Sequence, residues 1–276
     1  MEKVKDIKKR KRDTLNTFLI MPYYLVLVGL ILIPILIMVF SSFAEVDKNT
    51  LFKYTITINN YTNFFAKTEY LYAMGRSIWL ALLTTISTLI IGYPLAYFIT
   101  QTKPRTQALL ILLISAPMWI NLVIRTIAMR QIIDLIIPSI IKTDFAMIIG
   151  FVSIFLPFMV LPIYTVLLKI DPGLIEAATD LGASRFVAFL KVTLPLSLTG
   201  VMSGILMVFL PAATTLVIPK YLGNNVYLIG DIIERISILS GDIGYGAAIA
   251  IILSIIMMVM ILLVKSFDKF KVNEDV

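Results

Sequence analysis

The chain contains neither cysteine nor histidine among its 276 residues. Without thiols it has no disulfide framework, thiolate metal site or cysteine nucleophile. Without imidazole it has no histidine ligand or general base. Charge is scarce as well: Asp, Glu, Lys and Arg make up 15% of the residues. Six windows hold none of the four, namely Thr14–Ala44, Ser77–Thr102, Thr106–Ile124, Phe145–Leu168, Val192–Pro219 and Ile243–Val264. A carboxylate inside such a window would mark a fixed cation site or an ion relay. None is there, which argues against a proton- or sodium-coupled carrier built on one. The chain also lacks a G-x-x-x-x-G-K-[ST] run, so it has no phosphate loop for hydrolysing ATP by itself.

What the chain has in excess is apolar surface. Hydrophobic residues are 59% of the total and the mean hydropathy is +0.94, against about 45–50% apolar in soluble domains. The six windows run from 19 to 31 residues. At about 1.5 Å per residue, roughly 20 helical residues cross about 30 Å of hydrocarbon. Backbone groups in lipid must be paired within the segment, so these windows are expected to be helices. The alternating segments of a barrel are not seen. The predicted fold is therefore an all-α integral membrane protein with six transmembrane helices. Residues 1–17 form a basic tail, 18–264 the membrane domain and 265–276 a second tail. If the first tail is cytoplasmic and the sides alternate, 15 of the 24 Lys and Arg fall on the inner side and both termini are cytoplasmic. The net charge of +7 then reads as a topology signal, and a nucleic-acid surface is the weaker reading. Phe18–Phe40 is far longer than the roughly 7–15 apolar residues of a signal peptide, so an uncleaved helix is expected despite Ser42-Phe43-Ala44.

Between the windows, Glu45–Arg76 is polar and aromatic, suited to the membrane–water boundary. Within it Ile56–Thr62 reads as a short strand or an amphipathic turn. The inner turn at Lys103-Pro104-Arg105 is tight. Arg125–Asp144 is half hydrophobic and is expected to lie at the outer surface or dip inward. Its Arg130 and Asp134 have helical pairing spacing. Prolines within the windows, including Pro157, Pro162 and Pro211, set packing geometry or shape a passage. The run S-L-T-G-V-M-S-G places Gly200, Ser203 and Gly204 for close helix contact.

One insert stands apart, at residues 170–192. Asp171-Pro172 is a helix start, with a capping carboxylate and proline at the first helical position. Leu174, Ala177, Ala178 and Leu181 share a helical face. Gly182 suits the left-handed residue that ends a helix. Ser184 is expected to cap a second short helix, Arg185–Val192, and Pro195 to start the next membrane span. Spacing alone allows two readings: an amphipathic hairpin resting on the membrane, or an element that meets a soluble partner.

The residues Glu176-Ala177-Ala178, then Gly182, then Val192-Thr193-Leu194-Pro195 resemble the EAA loop of permease subunits of bacterial ABC importers, with Val192 where that family has Ile. Gly92–Phe98, Ala116–Thr126, Leu156–Tyr164 and Phe209–Thr214 resemble the spermidine/putrescine permeases of the B type. This resemblance implies a type I ABC importer permease fold with a cytoplasmic coupling helix, in the bacterial cell membrane. It implies a second six-span permease subunit, two ATPase subunits and an extracellular substrate-binding protein as partners. ATP and Mg would sit on the ATPase and no cofactor on this chain. Glu176, Ala177, Ala178 and Gly182 are the matched coupling positions, with Asp180, Leu181 and Arg185 beside them. For a polyamine passage, Trp79, Tyr93, Tyr97, Trp119 and Tyr164 offer ring faces to ammonium groups. Asn121 is the polar outlier, and Asp134, Asp231, Glu234 and Asp242 are acids near the outer ends. Solvated acids and packing aromatics are the plainer reading of each. The competing readings are an ABC permease for another solute, a secondary transporter working without an ATPase, and a membrane enzyme.

Overall fold

The computed structural model describes residues 21–23, 25–46, 54–224 and 227–272. The basic tail at residues 1–17 lies outside them. The chain divides into two compact units: Met1–Ala66 with Arg235–Ile252, and Lys67–Glu234 with Leu253–Val276.

In the first unit, α1 (Met21–Ser42) is apolar all round and loosens into a π-helical stretch at Leu27–Leu32. A hairpin follows, with β1 (Ala44–Val46) antiparallel to β2 (Tyr54–Ile56) and Glu45 opposite Thr55. Among the described residues this pair of strands is the exception to the expected all-helical fold. It resolves the Ile56–Thr62 ambiguity into a strand end and then α2 (Asn59–Ala66). The buried Asn60 amide donates to the Ser42 and Ala44 carbonyls, at 3.0 and 3.3 Å, which fixes α2 against the hairpin's root.

The second unit is built on three helices: α3 (Thr68–Thr100), α6 (Asp144–Leu167) and α9 (Leu198–Thr214). In a membrane helix nearly every residue is apolar, so small and hydroxyl residues mark the packed side instead. On α3 that side carries Ser77, Ala81, Thr84, Thr85, Thr88, Gly92 and Ala96, all buried. Ser77, Thr85 and Thr88 return their protons to carbonyls four residues back, at 2.7–2.8 Å. Trp79, Ile86, Ile90 and Phe98 face outward. Glycines set the crossings. Gly92 and Gly204 lie against Met159 of α6. A Cβ on Gly200 would stand 2.9 Å from the Pro162 carbonyl oxygen. Ser203 does not share that contact: it is exposed and bonds Thr199.

Two windows are bent. The third becomes α4 (Pro104–Ser115) with a 3₁₀ turn at Ala116–Trp119, and its last residues join the half-hydrophobic stretch after it in α5 (Leu122–Ile136), with 102° between the two arms. Pro117 and the extended Ile120 break the ladder there. The fifth becomes α8 (Arg185–Leu196) and α9, bent by 61°. The straight helix thus starts at Leu198, beyond the expected Pro195, because the helical path turns at Ser197. Among the described residues four helices are long and apolar enough to cross a membrane, and up to six spans result if each bent pair counts as one. α10 (Val217–Leu222), α11 (Ile229–Glu234) and α12 (Ile243–Val272) complete the order. The C-terminal residues from Lys265 to Val272 continue α12. Arg130 and Asp134 form no ion pair despite their spacing; Arg76 of α3 pairs with Asp144 of α6 instead.

Candidate functional site

The insert folds from its own caps. The Asp171 carboxylate accepts from the Gly173 N–H at 2.9 Å, and Pro172 opens α7 (Pro172–Asp180). Gly182 ends it at φ +89°. The Gly182 and Ala183 N–H groups return to the Thr179 and Ala178 carbonyls, at 2.9 and 3.1 Å. A Cβ at Gly182 would meet nothing within 4 Å, so backbone conformation, not crowding, selects glycine there. The Ser184 hydroxyl accepts from Val187 N–H at 3.3 Å and starts α8.

α7 turns Ile175, Ala178 and Thr179 partly inward and leaves Leu174, Glu176, Ala177 and Asp180 exposed. Leu181 is 90% exposed and Phe186 is 69% exposed. Gly182 and Arg185 are exposed as well. The result is an apolar patch of Leu174, Ala177 and Leu181, bordered by two carboxylates. Such a patch can rest on a membrane surface or be covered by another protein. Among the described residues no group of three acidic side chains could hold a metal ion.

The insert is rooted in the three-helix core. The Tyr93 hydroxyl of α3 lies 2.8 Å from the Ser197 hydroxyl. Ser197 already gives its proton to the Leu194 carbonyl at 2.9 Å, so Tyr93 is the donor. The Phe189 ring meets Tyr93 and Tyr97 edge to face, at 5.9 and 5.1 Å between centroids. Beside it lies a cleft of about 240 Å³ bounded by Tyr97, Thr100, Leu168, Pro172, Ile175 and Thr193. The Lys103–Arg105 turn is at this same end. Gln107 just beyond it donates to the Thr100 and Thr102 carbonyls, at 3.1 and 2.8 Å, and accepts from the Tyr164 hydroxyl at 3.3 Å.

The candidate passage residues do not gather into one lining. Tyr93, Tyr97 and Tyr164 belong to the insert end. Asp231 is buried and accepts from Leu228 N–H at 3.2 Å. It lies near the start of α3, where the neighbouring Ile229 N–H reaches the Ser77 hydroxyl at 2.9 Å. Glu234, half-buried, ends α11. Asp134 is exposed on α5, and Asp242 caps α12 through Tyr245 N–H at 3.0 Å. Asn121 caps α5, accepting from Val123 N–H at 2.8 Å. Trp119, beside it, is 90% exposed and Trp79 is exposed on α3. Phe189, read from the sequence only as an apolar residue of the second short helix, and Ser197, which opens the S-L-T-G-V-M-S-G run, fasten the insert. Only a partner 104 positions away gives Ser197 this role.

Residues 8–271 match the family described as binding-protein-dependent transport system inner membrane component. The spermidine/putrescine transport system permease protein PotB of Haemophilus influenzae is 36% identical over 251 residues, covering 85% of this chain and 87% of that protein. PotB of Escherichia coli is 34% identical over 253 residues, covering 86% and 91%. The fold is similar to a chain of a bacterial ABC transporter involved in the import of alginate, with a TM-score of 0.77 at 15% identity over 96% of this chain and 98% of that one. It is also similar to a chain of the MetNI methionine ABC transporter in inward-facing form, with a TM-score of 0.55 at 20% identity over 75% and 98%.

Proposed function

Because the chain belongs to the binding-protein-dependent transport system inner membrane components, we propose that it forms half of the passage of an ATP-driven polyamine importer. The observation that carries this reading is the 36% identity to a spermidine/putrescine permease across 85% of the chain. In this reading the chain crosses the bacterial cell membrane six times, with residues 18–264 as the membrane domain. The bent pair α4–α5 supplies the third crossing, α9 beyond the bend at Ser197 supplies the fifth, and both tails are cytoplasmic. A second permease subunit completes the passage, two ATPase subunits carry ATP and Mg, and an extracellular receptor delivers the substrate.

The exposed patch on α7 supports the assignment of the insert as the coupling helix. Small Ala177 and Ala178 let the helix approach a groove closely. Leu174 and Leu181 bury apolar area there, and Glu176 and Asp180 offer charge-assisted contacts to basic groups. Gly182 forms the turn that presents them, and Arg185 stands exposed beside it. The passage itself has no carboxylate within its charge-free windows, so tight recognition belongs to the receptor. Trp119 and Trp79 are exposed rings suited to passing ammonium groups, at about 0.5–2 kcal/mol each. Asp134 and Glu234 would draw cations toward the mouth. Tyr93 and Tyr97 bind the insert to the core, Tyr164 joins α6 to Gln107 of α4, and Asn121 caps α5 beside Trp119.

The test is uptake of labelled spermidine by proteoliposomes holding this chain with its second permease and ATPase, supplied with receptor and internal ATP. Spermidine should accumulate and putrescine should compete. Accumulation of another solute in place of polyamines would overturn the substrate assignment. Uptake by this chain alone would overturn the division of labour.

A further inference from the structure

The connection between α7 and the core is not a regular helix. Within α8, Phe189–Thr193 forms a π-helical turn, with the Leu194 N–H reaching the Phe189 carbonyl five residues back. Single π turns inside α-helices frequently sit at functional positions. Four residues on, the path bends by 61°. Thr193 is buried and its hydroxyl has no hydrogen-bond partner. Elsewhere in this chain Thr85, Thr88 and Thr126 each donate to the carbonyl four residues back. An α-helical register would offer Thr193 the same bond, to Phe189. Thr84 in α3 also lacks a partner, so the hydroxyl alone does not identify a joint. Its coincidence with the π turn, the bend and unfilled space does. The cleft of about 240 Å³ reaches Thr193. A groove of about 380 Å³ lined by Leu89, Tyr93, Leu190, Leu194 and Leu198 adjoins the same turn. The turn therefore packs on the side that buries Thr193 and borders open grooves on its other sides.

Against this compliant segment stands one firm attachment: the buried Tyr93–Ser197 hydrogen bond, with the Phe189 ring set against Tyr93 and Tyr97. We propose that Tyr93 is a positioning residue whose hydroxyl bond to Ser197 and ring contact with Phe189 carry movement of the insert into the core helices, while the π turn Phe189–Thr193 is the joint that yields. This rests on the reading of α7 as the ATPase-facing element. Motion of α7 shifts the turn toward an α register and pulls through Ser197 on α3. When the clasp is lost, the joint absorbs the motion instead.

The experiment uses the full chain assembled with its second permease and ATPase in proteoliposomes, scoring labelled spermidine uptake and ATP hydrolysis together. Tyr93→Phe keeps the ring and removes the donor, and Ser197→Ala removes the acceptor. Each should leave assembly and ATP hydrolysis near wild type and lower the uptake per ATP hydrolysed about fivefold, the weight of one ordinary hydrogen bond. The double variant should be no worse than Ser197→Ala alone, because that substitution already removes the clasp together with the Ser197 bond to Leu194, while Tyr93→Phe removes the clasp only. Thr193→Ser should retain the ratio and Thr193→Val should lower it. An unchanged ratio in Tyr93→Phe and Ser197→Ala, or a fall that only follows loss of assembled complex, overturns the proposal. If the wild-type complex moves a different solute, the polyamine assignment fails and the same ratio for that solute decides the clasp. If the wild-type chain recruits no ATPase, the coupling role of α7 fails and the clasp with it.

Discussion

Glu176 and Trp119 are exposed side chains whose environments say different things about their work. Glu176 sits on α7 with no salt-bridge partner among the described residues, so its charge is available to another subunit. Glu176→Lys reverses it. A charge-assisted contact worth about 1.5–3 kcal/mol would be lost, lowering ATPase association by about tenfold or more. Copurification of the ATPase with membranes checks this, and the amount of inserted chain should not change. Trp119 stands at the elbow between α4 and α5 with almost all of its surface open. Trp119→Ala removes a ring face but no core contact. Uptake should fall several-fold, consistent with about 1 kcal/mol of cation–π attraction, with the yield of assembled complex unchanged. At this scale the sequence was legible where a residue acts through its own backbone. Asp171, Gly182 and Ser184 do what their types suggest, because caps and left-handed turns depend on neighbours two or three positions away. Asn121 shows the limit of type alone: its polar side chain in an apolar run caps the helix start beside it.

For whole elements, the difference lies between α7 and the α6–α9 crossing. Gly182→Pro cannot adopt a positive φ, since the ring fixes φ near −65°. The turn to α8 would be re-aimed, and uptake should be abolished while the chain still inserts, as seen by comparing transport with membrane yield. At the crossing, Gly200→Ala would place a methyl 2.9 Å from the Pro162 carbonyl oxygen and 3.1 Å from the Ile163 Cα. Both are backbone atoms with little freedom to move. A loss of about 1–3 kcal/mol is expected, visible as a lower midpoint of thermal unfolding in detergent. Ser203→Ala, on the exposed side, should shift it by no more than about 0.5 kcal/mol. Sequence spacing proposed all three small residues for the contact. Only the direction each faces on α9 separates Gly200 and Gly204 from Ser203.

Across the molecule, orientation is the property on which the proposed function turns. α3 has 33 residues, about 50 Å at 1.5 Å per residue, more than the roughly 30 Å of hydrocarbon. Its two ends should therefore emerge on opposite sides. The natural absence of cysteine allows a direct measurement. Tyr72→Cys should react with an impermeant maleimide added outside intact cells. Gln101→Cys, at the insert end, should react only after the cells are opened. Labelling in the reverse pattern would place α7 outside, away from any ATPase.

The sequence by itself determined the membrane habitat, the helical backbone, the caps of the insert and the family. Each of these follows from composition, from spacing within a few residues or from motif order, and none needs a distant partner. Tertiary structure decided which face of each helix is packed, where two windows bend, that a short hairpin follows α1, and that Tyr93 and Tyr97 fasten the insert. Lipid-facing and buried positions are both apolar, so hydropathy cannot tell them apart. A bend or a clasp depends on what stands opposite, often a hundred residues away in the chain.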